Sequence, residues 1–314
     1  MSSKRTAVVL GGSGFLGQRL CEKLVRLGFL VRSVSRTGRP RGKAQPWWQS
    51  IEWISADMGT ETSVPALMGA EVLFHLASST YPSTSNVDSV FDLESNLVGC
   101  VRMLKTAVEC EVKRVVFVSS GGTVYGIPRQ NPIPETHPTN PICSYGIHKL
   151  AVEKYLYMYR RIHGLSSIVL RVSNMYGELQ DLDRPLGAVS HFIHRAVSSL
   201  PIEVWGDGAT RRDYVYVDDV VAALLKAADY DGSEHIFNIG SGQSVSLNEL
   251  IELILQRVNR SVPVNHLPAR SFDIAENLLD ISRAAKELAW TPTISLETGV
   301  DRLIASATSK SRVP

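Results

Sequence analysis

Short apolar runs alternate with longer amphipathic stretches through the first half of the chain, and this alternation restricts the possible folds more than any other feature. The runs are rich in β-branched residues and read TAVVLGG, LVRSVSR, IEWISAD, EVLFHLAS, RVVFVSS and SIVLRVS. Between them lie stretches with helical periodicity, namely GQRLCEKLVRLG, DLESNLVGCVRMLKTAVECE and SYGIHKLAVEKYLYMYRRIHG. Strands that are almost continuously apolar are typical of parallel sheets covered on both faces. Right-handed crossovers between such strands predict a doubly wound α/β fold.

The rhythm changes near residue 174, which predicts a second, smaller lobe. Residues 175–209 are rich in loop-forming stretches such as GELQDLDRPLGA and WGDGATRRD. Residues 210–240 look like another strand and helix, whereas 241–314 mix helices with short strands. We therefore expect a main domain at 1–174, with 210–240 returning to it, and a lobe built from 175–209 and 241–314.

The composition is that of an ordinary globular protein. Of the 314 residues, 44% are apolar and 20% are charged, with a formal net charge of +2 and a pI near 8.3. This balance argues against nucleic-acid and membrane partners. The N-terminal residues show no signal-peptide pattern, and no apolar run has the length of a membrane span. The four cysteines are scattered without metal-ligand spacing, so we expect inert thiols, no metal site and a cytoplasmic location.

A glycine-rich turn follows the first predicted strand. In AVVLGGSGFLGQRL, the glycines Gly11, Gly14 and Gly17 stand where the strand would pass into a helix. Glycine is needed there for the tight turn, for approach of the backbone to a pyrophosphate, and for close packing of the helix on the strand. The helix N-terminus adds free amide donors and the positive end of the helix dipole. Because this turn opens an alternating series, it predicts a dinucleotide site.

The end of the second predicted strand bears on which dinucleotide binds. A carboxylate at that position usually accepts hydrogen bonds from the adenosine ribose. This chain has Ser35 there, followed by Arg36, with Arg39 and Arg41 nearby. A guanidinium matches the oxygens of a 2′-phosphate, whereas a solvated basic loop is the alternative. We expect NAD or NADP, with a lean toward NADP.

A tyrosine and a lysine four residues apart occur in PICSYGIHKL. On a helix, Tyr145 and Lys149 would share one face. The spacing alone also fits an exposed helical turn, since such pairs arise by chance in ordinary chains. Other parts of the sequence must decide between these interpretations.

Taken together, several motifs resemble those of the extended short-chain dehydrogenase/reductase family. They are the glycine turn, SADM at 55–58, HLAS at 75–78, VSSGGTVYG at 118–126 and YGIHK at 145–149. The resemblance runs from about residue 7 to about residue 292, and within the family it points to nucleotide-sugar epimerases of the UDP-glucose 4-epimerase type. It implies a Rossmann-type dinucleotide-binding domain with a smaller, interleaved C-terminal substrate-binding lobe.

The resemblance gives Tyr145 and Lys149 catalytic roles. It implies that the tyrosine exchanges a proton with a sugar hydroxyl while hydride passes between that carbon and the nicotinamide. Lys149 would also hold the nicotinamide ribose. A free phenol titrates near about 10, and we expect the nearby ammonium and an oxidised nicotinamide to lower the pKa of Tyr145.

The resemblance and the end of the second strand together give two sets of binding residues. The cofactor set is Gly11, Gly14, Phe15, Leu16, Gly17, Arg36, Asp57, Met58, Ala77, Asn96, Ser119, Tyr145 and Lys149. The substrate set is Asn174, Arg212, Arg270 and Asp273. Two arginines could hold a diphosphate through bidentate hydrogen bonds, although each could instead be a surface residue or part of a structural ion pair. Trp205 is either a base-stacking residue or a core residue.

One loop departs from the epimerase pattern. A serine that contacts the reacting oxygen usually occupies the position of Gly121, so Ser120, Thr123 or a water would have to supply that hydroxyl. The sequence marginally favours Thr123. Sugar 4,6-dehydratases place Asp-Glu before VYG, where this chain has Gly122 and Thr123. Without that carboxylate pair, dehydration is not expected.

These features predict a nucleotide-sugar 4-epimerase, acting on a UDP-hexose, that oxidises C4 to a 4-keto intermediate and returns hydride to its opposite face. The alternative is an NADPH-dependent reductase of a nucleotide-linked 4-keto-6-deoxy sugar, which Arg36 and the missing hydroxyl at Gly121 favour. A non-catalytic nucleotide sensor would have no need of Tyr145. Apolar stripes on LESNLVGCVRMLKTAVE and KLAVEKYLYMYRRIH fit a homodimer with two helices from each subunit, or core packing within one chain.

Overall fold

The computed structural model of the protein describes residues 4–42, 44–179, 187–269 and 274–310. The strands of this part of the chain are β1 (Thr6–Leu10), β2 (Leu30–Ser35), β3 (Ile51–Ser55), β4 (Val72–His75), β5 (Arg114–Ser120), β6 (Ser166–Val172), β7 (Asn174–Tyr176), β8 (Ile202–Trp205), β9 (Arg211–Tyr216), β10 (Ile236–Ile239), β11 (Ser244–Ser246), β12 (Val264–Leu267) and β13 (Glu276–Asn277). Its α-helices are α1 (Phe15–Arg26), α2 (Val64–Leu67), α3 (Ser89–Asp92), α4 (Gly99–Glu109), α5 (Ser144–His163), α6 (Ala188–Val197), α7 (Val217–Ala228), α8 (Leu247–Val258), α9 (Ser282–Glu287) and α10 (Leu296–Lys310). A π-helical stretch, Leu93–Val98, joins α3 to α4, and short 3-10 helices occupy Pro46–Ser50 and Glu61–Ser63.

Within the described residues, a seven-stranded parallel sheet has the order β10-β6-β5-β4-β1-β2-β3. Strand β1 pairs in parallel with both β2 and β4, so the direction of winding changes between β1 and β4. Ligands of doubly wound sheets bind beyond the carboxyl ends of the strands at such a switch point. The Rossmann-type fold is therefore the one that the sequence predicts, and the glycine turn lies at its switch point.

The packing of the central strands explains the apolar runs in the sequence. Strands β1 and β4 are buried along their whole length, as expected for strands covered on both faces. Helix α1 buries Leu16, Leu20 and Leu24 on one face. Each fully buried leucine contributes about 1.5–3 kcal/mol relative to an exposed one, so this face holds α1 on the sheet.

The chain forms two compact units. The first comprises Met1–Gly126, Pro138–Arg171 and Val221–Phe237, and the second comprises Ile127–His137, Val172–Val220 and Asn238–Pro314. The second unit includes 127–137 because Ile133 bridges to Leu279 and its carbonyl accepts a hydrogen bond from Asn238 Nδ2 at 2.8 Å. A role for this unit in substrate binding stays a prediction.

In the second unit, β9 lies between β11 and β13 and also pairs with β7. Asp213 on β9 is fully buried, and its carboxylate accepts hydrogen bonds from the Ser241 amide at 2.6 Å and the Ser241 hydroxyl at 2.8 Å. These bonds tie β9 to the turn between β10 and β11, and β9 is held beside β7 by their parallel pairing.

Among the residues that the structure describes, no helix combines the length and the apolar character that a membrane crossing requires.

Candidate active site

The turn between β1 and α1 is built from glycines that no other residue could replace without strain. Gly11 has a φ of +85°, and a Cβ there would lie 3.0 Å from backbone atoms of Ala77. A Cβ on Gly17 would lie 2.2 Å from the carbonyl oxygen of Gly11. Gly14 is exposed and caps α1 without any side chain. The turn thus presents bare backbone at the end of β1.

The first turn of α1 has free amide groups. In the described part of the chain, no acceptor pairs with the N–H groups of Phe15 and Leu16, and the first turn carries no acidic residue. These donors and the helix dipole fit the pyrophosphate of a dinucleotide. The sequence analysis missed Gly12, where a Cβ would lie 2.2 Å from Ser33 Oγ. The doubled glycine in LGGSG was the signal that could have found it.

The ends of β2 and β3 place the residues predicted to lie near the adenosine. The Ser35 hydroxyl donates to the Gly38 carbonyl at 2.8 Å, so it is engaged within its own turn. Arg36 is exposed, and no ion pair joins it to any described residue. Beyond β3, the Asp57 carboxylate accepts from the Met58 amide at 3.1 Å. The guanidinium of Arg36 is therefore available to a ligand.

Tyr145 and Lys149 both lie in the first turns of α5, on one face as predicted. The Lys149 ammonium is buried, donates to the Val118 carbonyl at 2.9 Å, and lies 5.5 Å from the centre of the Tyr145 ring. It also lies 4.8 Å from the centre of the ring of Phe117, the middle residue of β5. Tyr145 as a whole residue is half-buried. Helix α5 and strand β5 thus position the pair together.

The electrostatics of this pair differ from the expectation. Burial raises the pKa of Tyr145, and the charge of Asp92 acts in the same direction. Burial also lowers the pKa of Lys149 to about 8. Without a bound nicotinamide the pKa of Tyr145 is raised, not lowered as expected, because burial disfavours the charged phenolate. The phenol is therefore protonated at neutral pH.

The hydroxyl groups at the end of β5 and in the loop after it have different surroundings. The Ser119 hydroxyl donates to Glu153 Oε1 at 2.5 Å. Thr123 Oγ1 is enclosed and has no hydrogen-bond partner among the described residues. The Thr123 backbone and Cβ pack against Gly146. The space beside Gly122 is open, and Ser120 Oγ borders it, 3.9 Å from the position of a Cβ on Gly122. The Ser120 hydroxyl is thus the more open of the two, and which of them contacts the reacting oxygen stays a prediction.

A buried polar cluster behind Tyr145 was missed by the sequence analysis. Asp92 is fully buried, His148 is 4% exposed, and His148 Nδ1 lies 2.9 Å from Asp92 Oδ2. Asn96, predicted to lie near the cofactor, uses its amide to bind Asp92 and accepts the Ser79 amide at 2.7 Å. It therefore holds the turn that follows Ala77. A histidine just before Lys149 was the sole signal in the sequence.

The predicted substrate residues of the second unit lie on neighbouring strands. Asn174 on β7 donates to the Asp213 carbonyl at 3.2 Å, and Arg212 on β9 donates to the Ile274 carbonyl at 2.7 Å. Trp205 is 44% exposed, which excludes the core-packing alternative. Arg270 and Asp273 lie outside the described residues.

Known proteins match this chain over nearly its whole length. Residues 7–240 match the model of the NAD dependent epimerase/dehydratase family. The UDP-glucose 4-epimerase of Mycolicibacterium smegmatis is 34% identical over 97% of this chain and 99% of its own. The dTDP-4-dehydro-6-deoxyglucose reductase of Escherichia coli is 31% identical over 98% of this chain and 99% of its own. The crystal structure of the Thermotoga maritima UDP-glucose 4-epimerase with UDP-glucose is 32% identical, with a TM-score of 0.92 over 98% of this chain and 99% of that one. The chain belongs to the NAD-dependent epimerase/dehydratase family of extended short-chain dehydrogenases/reductases.

Proposed function

We propose that this protein is a nucleotide-sugar 4-epimerase acting on a UDP-hexose. The observation that carries the proposal is the half-buried Tyr145 beside the buried Lys149 ammonium, whose nitrogen lies 5.5 Å from the centre of the tyrosine ring. Both residues lie on a helix adjoining the sheet whose switch point holds the glycine turn. Relatives that are named UDP-glucose 4-epimerases, at up to 34% identity over nearly the full length, support the same reaction.

Tyr145 carries the proton in the proposed mechanism. The tyrosine accepts the proton of the C4 hydroxyl, and the Lys149 charge, fixed by the Val118 carbonyl at 2.9 Å, stabilises the phenolate that acts as base. When bound, NAD would take the hydride from C4, return it to the other face, and lower the pKa of the phenol through its positive ring. Tyr145 then gives the proton back to the new hydroxyl, so the net reaction consumes nothing.

The carboxylates near this pair argue against water elimination. Glu153 forms a buried ion pair with Arg171 at 2.6 Å, and Asp92 is held by His148 at 2.9 Å. Neither is placed as a free acid or base for a sugar. The proposal therefore remains epimerisation without dehydration.

The test is proton NMR of the purified protein with UDP-galactose, UDP-glucose and their N-acetyl forms, without added reductant. We expect interconversion of the 4-epimers to equilibrium with no net change in cofactor absorbance. Absence of interconversion with both NAD and NADP, together with turnover of a nucleotide-linked 4-keto-6-deoxy sugar by NADPH, would overturn epimerisation in favour of reduction. That second candidate is favoured by the exposed Arg36 and by the 31% identical E. coli reductase.

We propose that the Ser120 hydroxyl contacts the reacting oxygen. We expect Ser120→Ala to lower kcat by about 10- to 100-fold, because a hydrogen-bond donor to a developing oxyanion is lost. Thr123→Val, which removes an enclosed hydroxyl of similar size, should change kcat less than about twofold. The NMR rates of both variants test this, and the reverse order of effects would restore Thr123.

We propose that Arg36 allows NADP to bind. We expect Arg36→Ala to weaken NADP binding by about 10- to 100-fold and NAD binding by little, because a charge-assisted hydrogen bond to the 2′-phosphate is lost. Calorimetric titration with each dinucleotide measures this. Arg41→Ala is the matched control, since Arg41 is also exposed at the same loop. Equal losses in the two variants would indicate a general basic loop.

We also propose a homodimer. Helix α5 exposes Ile147 (56%), Met158 (37%) and Ile162 (67%) on one face, and Val90 (68%) and Leu93 (48%) are exposed on the neighbouring helical segment. Pairing of such faces across a two-fold axis would bury them. Sedimentation equilibrium should give the mass of two chains, and Ile162→Asp should shift it toward one.

We propose a cytoplasmic location, which the thiols support. All four cysteines are free, and Cys21 and Cys100 are buried. Free buried thiols suit a reducing compartment.

A further inference from the structure

We propose that Asp92 and His148 are positioning residues for Tyr145. Together with Ser85 and Asn86, which cap helix α5 from the chain segment 80–92, they hold the first turn of α5 and place one buried carboxylate charge behind the catalytic phenol. This inference rests on the proposed function, because it assigns the pair a part in the same proton exchange.

The first turn of α5 is capped from a distant part of the chain. Its own N-cap residue supplies no side-chain hydrogen bond. Instead, the Ser144 amide donates to Asn86 Oδ1 at 2.8 Å, and the Tyr145 amide donates to Ser85 Oγ at 3.0 Å. The Ser144 hydroxyl donates to Asp92 Oδ2 at 2.6 Å. Helix N-termini need such acceptors, so the placement of the catalytic tyrosine depends on the segment 80–92.

Asp92 is the centre of this cap. Besides Ser144, its carboxylate accepts from the Thr80 hydroxyl, from Asn96 Nδ2 at 3.2 Å, and from His148 Nδ1 at 2.9 Å. Burial by itself would raise the pKa of this carboxyl, but the donors hold it below its usual value. A carboxylate with this many donors is ionised at neutral pH.

His148 joins this charge to the tyrosine. Burial, aided by Lys149, lowers the pKa of His148 to about 4, so the ring is neutral at neutral pH and its Nδ1–H donates to Asp92. The ring meets the Tyr145 ring edge-to-face, with centres 5.1 Å apart. The pair therefore carries one negative charge beside the phenol.

Other titratable groups surround the arrangement formed by Tyr145, Lys149, Asp92 and His148. They are Tyr81, Cys143, His75, Cys100 and Glu153. Burial lowers the pKa of His75 to about 3 and raises that of Cys100 to about 12, so both are neutral at neutral pH. Glu153 is paired with Arg171. Asp92 is thus the carboxylate whose removal changes the charge facing Tyr145 while leaving that ion pair intact.

The direction of the effect follows from the charge. A nearby negative charge opposes formation of phenolate, so its removal lowers the pKa of Tyr145. Activity that requires phenolate then persists to lower pH. Asp92→Asn removes the charge at almost constant size. His148→Asn can keep an amide donor near the place of Nδ1–H, and it leaves the charge of Asp92 unchanged.

The experiment uses the full chain with NAD and follows two readouts in these variants. One is the pH profile of kcat. The other is the titration of the Tyr145 phenol, followed by the ultraviolet absorbance of its phenolate form as the pH is raised, with Tyr145→Phe as the reference. We expect Asp92→Asn to move the acid limb of the kcat profile and the Tyr145 titration to lower pH. We also expect kcat to fall with little change in KM, because the ionised acceptor of the Ser144 hydroxyl at the start of α5 is lost. We expect His148→Asn to leave the acid limb of the kcat profile and the Tyr145 titration at their wild-type pH values. An unmoved Asp92→Asn profile, or one moved upward, would overturn the inference.

Two further outcomes separate this inference from the proposed function. If no nucleotide sugar is epimerised but the Tyr145 titration shifts as expected, the proposed function fails and the electrostatic role stands. If Asp92→Asn does not fold, Ser144→Ala tests the cap, because it removes one donor and leaves the charge. A fall in kcat at constant KM and constant acid limb would support positioning, whereas unchanged kcat would overturn it.

Discussion

Replacing Tyr145 by phenylalanine should lower kcat by about 10²- to 10⁴-fold, the range of general acid–base contributions. The variant removes one hydroxyl and keeps the ring, including its edge-to-face contact with His148 at 5.1 Å. Because the glycine turn at the end of β1 and Lys149 are unchanged, and only one of the predicted cofactor contacts is altered, NAD binding should weaken far less than kcat falls. Initial rates by NMR and calorimetric NAD titration measure these two expectations, and thermal unfolding checks that the variant is folded.

A second tyrosine on the same helix provides the control. Tyr157 is 57% exposed, so Tyr157→Phe should leave kcat and stability unchanged. If Tyr145→Phe retained more than about a tenth of the wild-type kcat, the proton would have to travel by another group. Ser120, proposed above to contact the reacting oxygen, would then be the first alternative to examine.

Gly17→Ala should destabilise the protein and impair dinucleotide binding at the same time. A Cβ at this position would lie 2.2 Å from the Gly11 carbonyl and 2.6 Å from the Gly12 Cα, both backbone atoms that cannot rotate away. The helix must move off the turn, which costs about 1–3 kcal/mol or more. Movement of the free amides of Phe15 and Leu16 should weaken NAD binding by at least about tenfold.

Thermal unfolding with and without NAD measures both effects, since bound NAD raises the stability of the protein that can bind it. Arg26→Ala, on the exposed side of the same helix, is the control and should change stability by less than about 0.5 kcal/mol. Wild-type NAD affinity in Gly17→Ala would contradict the assignment of this turn to the pyrophosphate.

The fold was predictable because its signals are local. Strands buried on both faces must be apolar throughout, so β1 and β4 were visible as continuous runs. The shared face of Tyr145 and Lys149 followed from helical geometry alone. The sequence could not show how deeply each side chain is buried, and burial is what raises the pKa of Tyr145.

The residues that the sequence missed or ranked differently depend on contacts between distant segments. The choice between Ser120 and Thr123 depends on how the loop packs against Gly146, which encloses only the threonine. Asp92 and His148 are 56 residues apart, and neither has a sequence pattern that marks the other. Contacts of this kind become visible only when the helices are assembled on the sheet.

The chain passes five times between its two compact units, at 126/127, 137/138, 171/172, 220/221 and 237/238. Neither unit is therefore encoded by one uninterrupted stretch of gene. A single recombination event cannot exchange one unit for that of another protein while leaving the other intact. In a scaffold threaded in this way, a change of substrate has to arise by substitutions in place, and a laboratory search for new specificity should likewise mutate individual positions rather than shuffle segments.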